Sequence, residues 1–155
     1  MPSDLRVERP PTISDFCTAA RGFLLEHEAE HGLMLSVASA ALVAPAEAYW
    51  SLARTREEEV VAAALRTIPK MILSREGGPG AMAAIANHAR DASFASIIGP
   101  WPSLESFVAA FGGSWRRGHH HVVYECRSVH LPTSPRGTPR TATAADRSRP
   151  PGCCA

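Results

Sequence analysis

Glu59-Val-Val-Ala-Ala-Ala-Leu-Arg-Thr67, then Lys70-Met-Ile-Leu-Ser74, then Arg75-Glu-Gly-Gly-Pro-Gly80, then Ala81-Met-Ala-Ala-Ile-Ala-Asn-His-Ala-Arg90 is the stretch whose reading decides the fold. Residues 60–67 are apolar at odd and even positions alike, which suits a strand covered on both faces. Pro69 breaks that run, and residues 71–74 read as a further short strand. From Gly80 to about residue 90 the spacing predicts a helix with Met82, Ile85, Ala86 and Ala89 on one side. A strand that turns through glycines into a helix presents unpaired backbone N–H groups and the positive end of a helix dipole. That geometry suits a phosphate.

Working outward, residues 1–11 are polar and proline-rich and read as a flexible arm. Thr12-Ile-Ser-Asp15 is a helix-start signal. Phe16, Ala20, Phe23, Leu24 and His27 follow at helical spacing, so a first helix is expected to about residue 30. Gly32 interrupts, and residues 33–42 read as a second helix stopped by Pro45. Residues 48–54 read as a strand and 55–58 as a polar turn. Downstream, residues 96–100 read as a short strand, and Ser103 can cap a helix expected to run to Phe111 and be closed by Gly112-Gly113. Residues 115–131 read as one strand or a pair, and residues 132–155 as a disordered tail. Such alternation argues for an α/β fold, a central sheet with helices on both faces, in a single domain over residues 12–131.

A chain of 155 residues that is 45% hydrophobic and 20% charged, with net charge +1, has the composition of an ordinary globular protein. The charge balance gives no footprint for nucleic acid. No apolar run reaches the roughly 20 residues of a membrane span, and the N-terminus lacks a secretory h-region. The expectation is a cytoplasmic protein that engages neither membrane nor nucleic acid. Cys17 and Cys126 are isolated and Cys153-Cys154 adjacent, a pattern unlike a disulfide framework or a metal knuckle.

His27-Glu-Ala-Glu-His31 fits H-E-x-x-H, in which two histidines four apart on a helix hold zinc and the glutamate serves as general base. A metallopeptidase is therefore one reading. Against it, Met34 and Val37 stand where a longer zinc-protease pattern needs glycine and histidine, and His27 continues an apolar stripe. A packed histidine and no metal is the expectation. In His119-His120-His121 only the first and third share a strand face, and a solvated strand start is the simpler reading. There is no G-x-S-x-G elbow, and Lys70 is the only lysine.

Arg75-x-x-Gly78-x-Gly80, set between strand and helix, resembles the Q/R-x-x-G-x-G/A pyrophosphate loop of the GNAT superfamily of N-acyltransferases. The order of elements is similar to that superfamily too. Residues 16–131 further resemble the N-terminal half of bacterial GNAT proteins built from two such domains. Phe23-Leu-Leu-Glu-His-Glu-Ala-Glu-His31, Ala48-Tyr-Trp50, Val61-Ala-Ala-Ala-Leu-Arg-Thr67, Ile72-Leu-Ser74 and Ile98-Gly-Pro100 carry that likeness.

The resemblance implies acetyl-CoA as co-substrate, bound by Ile72, Leu73, Ser74, Arg75, Gly77, Gly78, Gly80 and Ala81. The pantetheine arm would lie between residues 71–74 and a splayed strand at 96–99. It implies a small-molecule or peptide amine as acceptor and an oxyanion-type stabilisation by a first-strand amide. It identifies no catalytic residue: Glu57, Glu58 and Glu59 lie near the cleft on a turn, and the helix ending at Phe111 has no tyrosine to act as general acid. Pro79 also removes one N–H from the loop. Gly137-Thr-Pro-Arg-Thr-Ala-Thr-Ala-Ala-Asp146 resembles the opening of a second GNAT domain, and residues 147–155 follow with no periodicity, as a linker or a frameshifted end would. Three readings stay open at this point: an acetyltransferase, a chain truncated and inactive alone, and a non-catalytic GNAT-like packing or regulatory module partnered by a missing second domain or by another copy.

Overall fold

The computed structural model describes residues 5–43, 48–67 and 69–123. Five strands and four helices follow one another as β1 (Arg6–Glu8), α1 (Ile13–Leu25), α2 (Glu28–Val43), β2 (Tyr49–Arg54), β3 (Val60–Thr67), β4 (Lys70–Leu73), α3 (Ala81–His88), β5 (Ser96–Ile98) and α4 (Trp101–Phe111). The strands form one mixed sheet in the order β1-β2-β3-β4-β5. The first three pairings are antiparallel, and β4 and β5 run parallel. The chain is therefore an α/β protein.

The core divides at the sheet because successive side chains of a strand point to opposite faces. Leu52, Ala63, Leu65 and Ile72 join Phe16, Ala20, Leu24 and Met34 of α1 and α2. Tyr49, Ala53, Ala62, Ala64, Met71 and Leu73 join Met82, Ile85 and Phe107 of α3 and α4. Helices thus cover both faces, and β3 is apolar from Val60 to Leu65 because it lies between β2 and β4 with a helical layer above and below. Met82, Ile85, Ala86 and Ala89 are all fully buried, as their spacing requires.

Four local outcomes depart from the sequence expectations. Arg6–Glu8, within the stretch read as an arm, pairs with β2. It is too short and polar to show a period, and long-range contacts hold it: Glu8 accepts from Arg54 Nε at 2.6 Å, Arg6 reaches Glu58 at 2.8 Å, and Arg9 lies 4.8 Å over the Trp50 ring. The first helix ends at Leu25, not near residue 30, and Gly32 rides inside α2. Ser103 is not the cap of α4; Pro100 is the N-cap residue, and Pro102 sits in the first turn, where a missing N–H costs nothing.

The fourth departure is at the C-terminal end. Residues 115–123 form no strand. Gly112 and Gly113, at φ 78° and 88°, turn the chain back, so that Trp115 stacks 6.2 Å from Phe94 and donates from Nε1 to the Gly112 carbonyl. The remainder of the 115–131 strand expectation, Pro45, and the tail lie outside the described residues.

Thr12 caps α1 in a reciprocal box, its hydroxyl accepting from the Asp15 N–H and Asp15 accepting from the Thr12 N–H. Gly99 follows β5 at a point of close approach: a Cβ there would lie 2.9 Å from the Leu73 carbonyl oxygen and 3.0 Å from the Leu73 Cβ. Gly99→Ala should cost about 1–3 kcal/mol by overpacking. Gly22→Ala, in open space on α1, should stabilise by about 0.5–1 kcal/mol. Urea denaturation of both variants checks the pair, and equal effects would contradict this packing.

Candidate functional site

The sheet does not release the chain at the end of β4. Ser74 N–H donates to the Ala63 carbonyl at 2.9 Å, and its hydroxyl accepts from the Ala63 N–H at 2.8 Å while donating to the Arg75 carbonyl. A side chain thus fills the place of a ladder carbonyl. Two residues on, the Gly77 N–H donates to the Val61 carbonyl at 2.7 Å. Val61 is the extra residue of an irregularity in β3, where Ala53 faces Ala62 but Arg54 faces Val60. A Cβ on Gly77 would stand 3.1 Å from that carbonyl oxygen and from the Phe23 ring, so a side chain there would press on both.

His31 anchors the same loop from α2. Its imidazole is 1% exposed. Nδ1 donates to the Leu24 carbonyl at 2.9 Å, and Nε2 accepts from the Arg75 N–H at 3.1 Å. Together the two bonds require the neutral tautomer protonated on Nδ1. Burial, the largest influence, lowers its pKa below the ordinary 6.5. The Leu24 carbonyl bonded to a side chain seven residues away is the physical reason that α1 ends at Leu25 and α2 starts afresh at Glu28.

The H-E-x-x-H spacing brings the two rings within 6.4 Å in edge contact, yet each is tied to Arg75 rather than aimed at a common point. His27 lies exposed in the turn between α1 and α2, where its Nε2 accepts from the Arg75 guanidinium. His31, not His27, continues into the core. With both ring nitrogens in hydrogen bonds, it presents no lone pair to a metal. Among the described residues no group of three or more histidine, cysteine or carboxylate side chains is placed to hold an ion. His119 and His121 lie in an exposed non-strand segment, ring centres 6.4 Å apart.

Gly80 is the N-cap residue of α3, at φ 80°, and has no side chain to serve the first-turn amides. Ala81 N–H donates to Gly78 O and Ala84 N–H to Gly80 O. The Met82 N–H donates at 3.0 Å to Glu76 Oε1, whose other oxygen accepts from Ser106 Oγ of α4 at 2.9 Å. With Arg75 and Gly77 also engaged and Pro79 lacking an N–H, the loop amides without a partner among the described residues are those of Glu76, Gly78 and Gly80.

Ile72 and Leu73 are buried in β4 on opposite faces of the sheet, and Ser74 is buried in its ladder role. Between α1 and the β2–β3 turn lies a cavity of about 430 Å³ that reaches Gly77. Phe23, Val60 and Val61 give it an apolar side, and Glu26, Glu58 and Glu59 an acidic one. Arg54, its one cation, is engaged with Glu8 and the Glu58 carbonyl.

Sequence reasoning singles out His31 only as a zinc ligand and misses Glu76, Ser106 and Glu26. Glu76 lies outside the first-turn window in which acidic residues normally signal a helix start, and Ser106 is brought to it from 30 residues away.

Comparison of the chain with protein-family models, with curated proteins and with solved structures finds no match.

His31 gives a signed pH test. Because its folded pKa lies below 6.5, the unfolded chain takes up the proton more readily. Stability is therefore full above pH 6.5 and falls as pH drops toward the folded value. His31→Leu should lose about 1–3 kcal/mol at pH 7.5 by orphaning the Leu24 carbonyl and Arg75 N–H, and should show a shallower acid-side fall between pH 6.5 and 5. Thermal melts of the two proteins that run parallel over that range would contradict the bridging role.

Proposed function

We propose that this chain is a GNAT-type domain that binds acetyl-CoA at the glycine loop and passes its acetyl group to an amine. The observation that carries the reading is the placement of the Arg75-x-x-Gly78-x-Gly80 loop between β4 and α3, beside a strand that runs parallel to β4. The amides of Gly78 and Gly80, without a partner among the described residues, fit a pyrophosphate oxygen by donor type. Acetyl-CoA, when bound, supplies an activated thioester: the amine nitrogen forms the C–N bond, the C–S bond breaks, the amine gives up a proton, and the thiolate gains one.

The acidic cavity that reaches Gly77 supports an amine-bearing acceptor. Glu26, Glu58 and Glu59 favour an ammonium group there, and the Phe23 and Val61 side accommodates an apolar portion. Glu58 is already ion-paired with Arg6, so Glu26 and Glu59 are the carboxylates through which an acceptor proton would leave.

One observation favours a second reading, a non-catalytic module of the same type. β4 and β5 remain close where the pantetheine arm is expected to enter: Ile72 pairs with Ile98, and Gly99 packs on the Leu73 carbonyl. The two readings separate on one experiment. The transferase reading expects millimolar acetyl-CoA to raise the melting temperature by several degrees, as any ligand selective for the folded state does, and expects acetylated product from a panel of diamines and peptide amines. A melting shift without product selects the module. No shift at millimolar acetyl-CoA overturns the transferase and leaves the module, whose closed β4–β5 pairing gives the arm no entry.

A further inference from the structure

After Gly112-Gly113 the chain turns back along α4 and carries apolar side chains out into solvent. Trp115 rests on Phe94 and Phe111, and the Arg117 guanidinium lies 4.3 Å over the ring of Trp101, the first residue of α4. Both tryptophans are nevertheless exposed, and Val122 and Val123 are 62% and 64% exposed. None of these four side chains belongs to either half of the core. A lone exposed apolar residue needs no explanation; four of them on one short segment and the helix it follows do.

The same segment is cationic. Between Ala92 and Val123 the only carboxylate is Glu105, whereas Arg116, Arg117 and His119-His120-His121 follow one another closely. The net charge of +1 over the whole chain conceals this, because carboxylates gather at residues 26–30 and 57–59. Positive charge and apolar surface therefore coincide, as contact with an anionic, partly apolar partner requires.

We propose that residues 115–123, with Trp101, form a peripheral docking surface for a bilayer of anionic phospholipid. Among the described residues no helix is long and apolar enough to cross a membrane, so the contact is with the interface alone. Tryptophan settles at that level because its ring is amphipathic. Val122 and Val123 reach the acyl boundary, and the two arginines meet the phosphates, each worth about fivefold in partitioning to an anionic leaflet. The expectation of no membrane contact rested on the lack of a spanning run, and interfacial binding needs no such run.

Two observations favour lipid over other anionic partners. A single-stranded nucleic acid stacks its bases on open aromatic faces, yet Arg117 covers one face of Trp101 and Phe94 stacks on Trp115 at an interplanar angle of 20°. Exposed valines offer a base nothing to stack on. A peptide anchors its side chains in a groove, and the cavity that reaches Gly77 lies elsewhere, between α1 and the β2–β3 turn.

The test is cosedimentation of the full chain with vesicles of phosphatidylcholine alone and of phosphatidylcholine with an equal part of phosphatidylserine. Wild type should bind the anionic vesicles more tightly than the neutral ones by about tenfold or more. Arg116→Gln/Arg117→Gln should lose about tenfold of that affinity, and Val122→Ser/Val123→Ser a comparable factor. These positions lie outside the helices, strands and core, so both variants should melt as wild type does. Independently, wild-type tryptophan emission should shift to the blue on anionic vesicles. Trp101→Phe/Trp115→Phe should abolish that shift, because Trp50 is held in β2 with its Nε1 on the Pro10 carbonyl. No binding to anionic vesicles, equal binding to both kinds, or wild-type affinity in Val122→Ser/Val123→Ser overturns the proposal. Release from the vesicles by a single-stranded oligothymidylate that the protein binds more tightly also overturns it, and makes the surface a nucleic-acid contact.

Discussion

The imidazole of His31 bridges two main-chain groups that have no other partner among the described residues, the Leu24 carbonyl and the Arg75 amide. That bridge sets the end of α1, the start of α2 and the first residue of the glycine loop at once. It works only for a neutral ring protonated on Nδ1, and burial between the helices maintains that state. The two histidines of the H-E-x-x-H spacing stay in edge contact, ring centres 6.4 Å apart, but differ in exposure: His31 is buried against the Arg75 amide and His27 lies at the surface beside the Arg75 side chain.

From that anchor the loop is laid down along β3. Ser74 substitutes its hydroxyl for a ladder acceptor, and Gly77 reaches the carbonyl of an irregular Val61. Each contact turns an amide inward. The loop that enters α3 therefore differs from an open cradle: most of its donors serve the fold, and the terminus beyond them is occupied by Glu76. The three consecutive alanines of β3 at 62–64 fit the same logic, because small side chains alternate between the two helical layers and are fully buried in both.

The continuous apolar run of β3, the spacing of Met82, Ile85, Ala86 and Ala89, and the glycines at either end of the loop were legible in the sequence because each is a local pattern with a known period. What escaped was set by partners distant along the chain. Three residues of β1 are fixed by Arg54 and Glu58, some 50 positions away. The α1–α2 break depends on one hydrogen bond to the ring of His31. Which histidine faces inward follows from that break and could not be read from an unbroken helix. Trp115 read as the start of a strand, yet the ring cluster of Phe94, Phe107 and Phe111 draws it back after two glycines of positive φ. Glu76 is visible in the sequence as a charge beside glycines, but its role depends on Ser106.

Residue-resolved amide hydrogen exchange across residues 74–84 tests the inward-clamped loop most directly. The account predicts slow exchange for Arg75, Gly77 and Met82, whose amides donate to His31, Val61 and Glu76, and fast exchange for Gly78 and Gly80, which have no partner among the described residues. Uniformly fast exchange from 75 to 82 would contradict it, since a loop held from inside cannot release those three amides as readily as the two glycines between them.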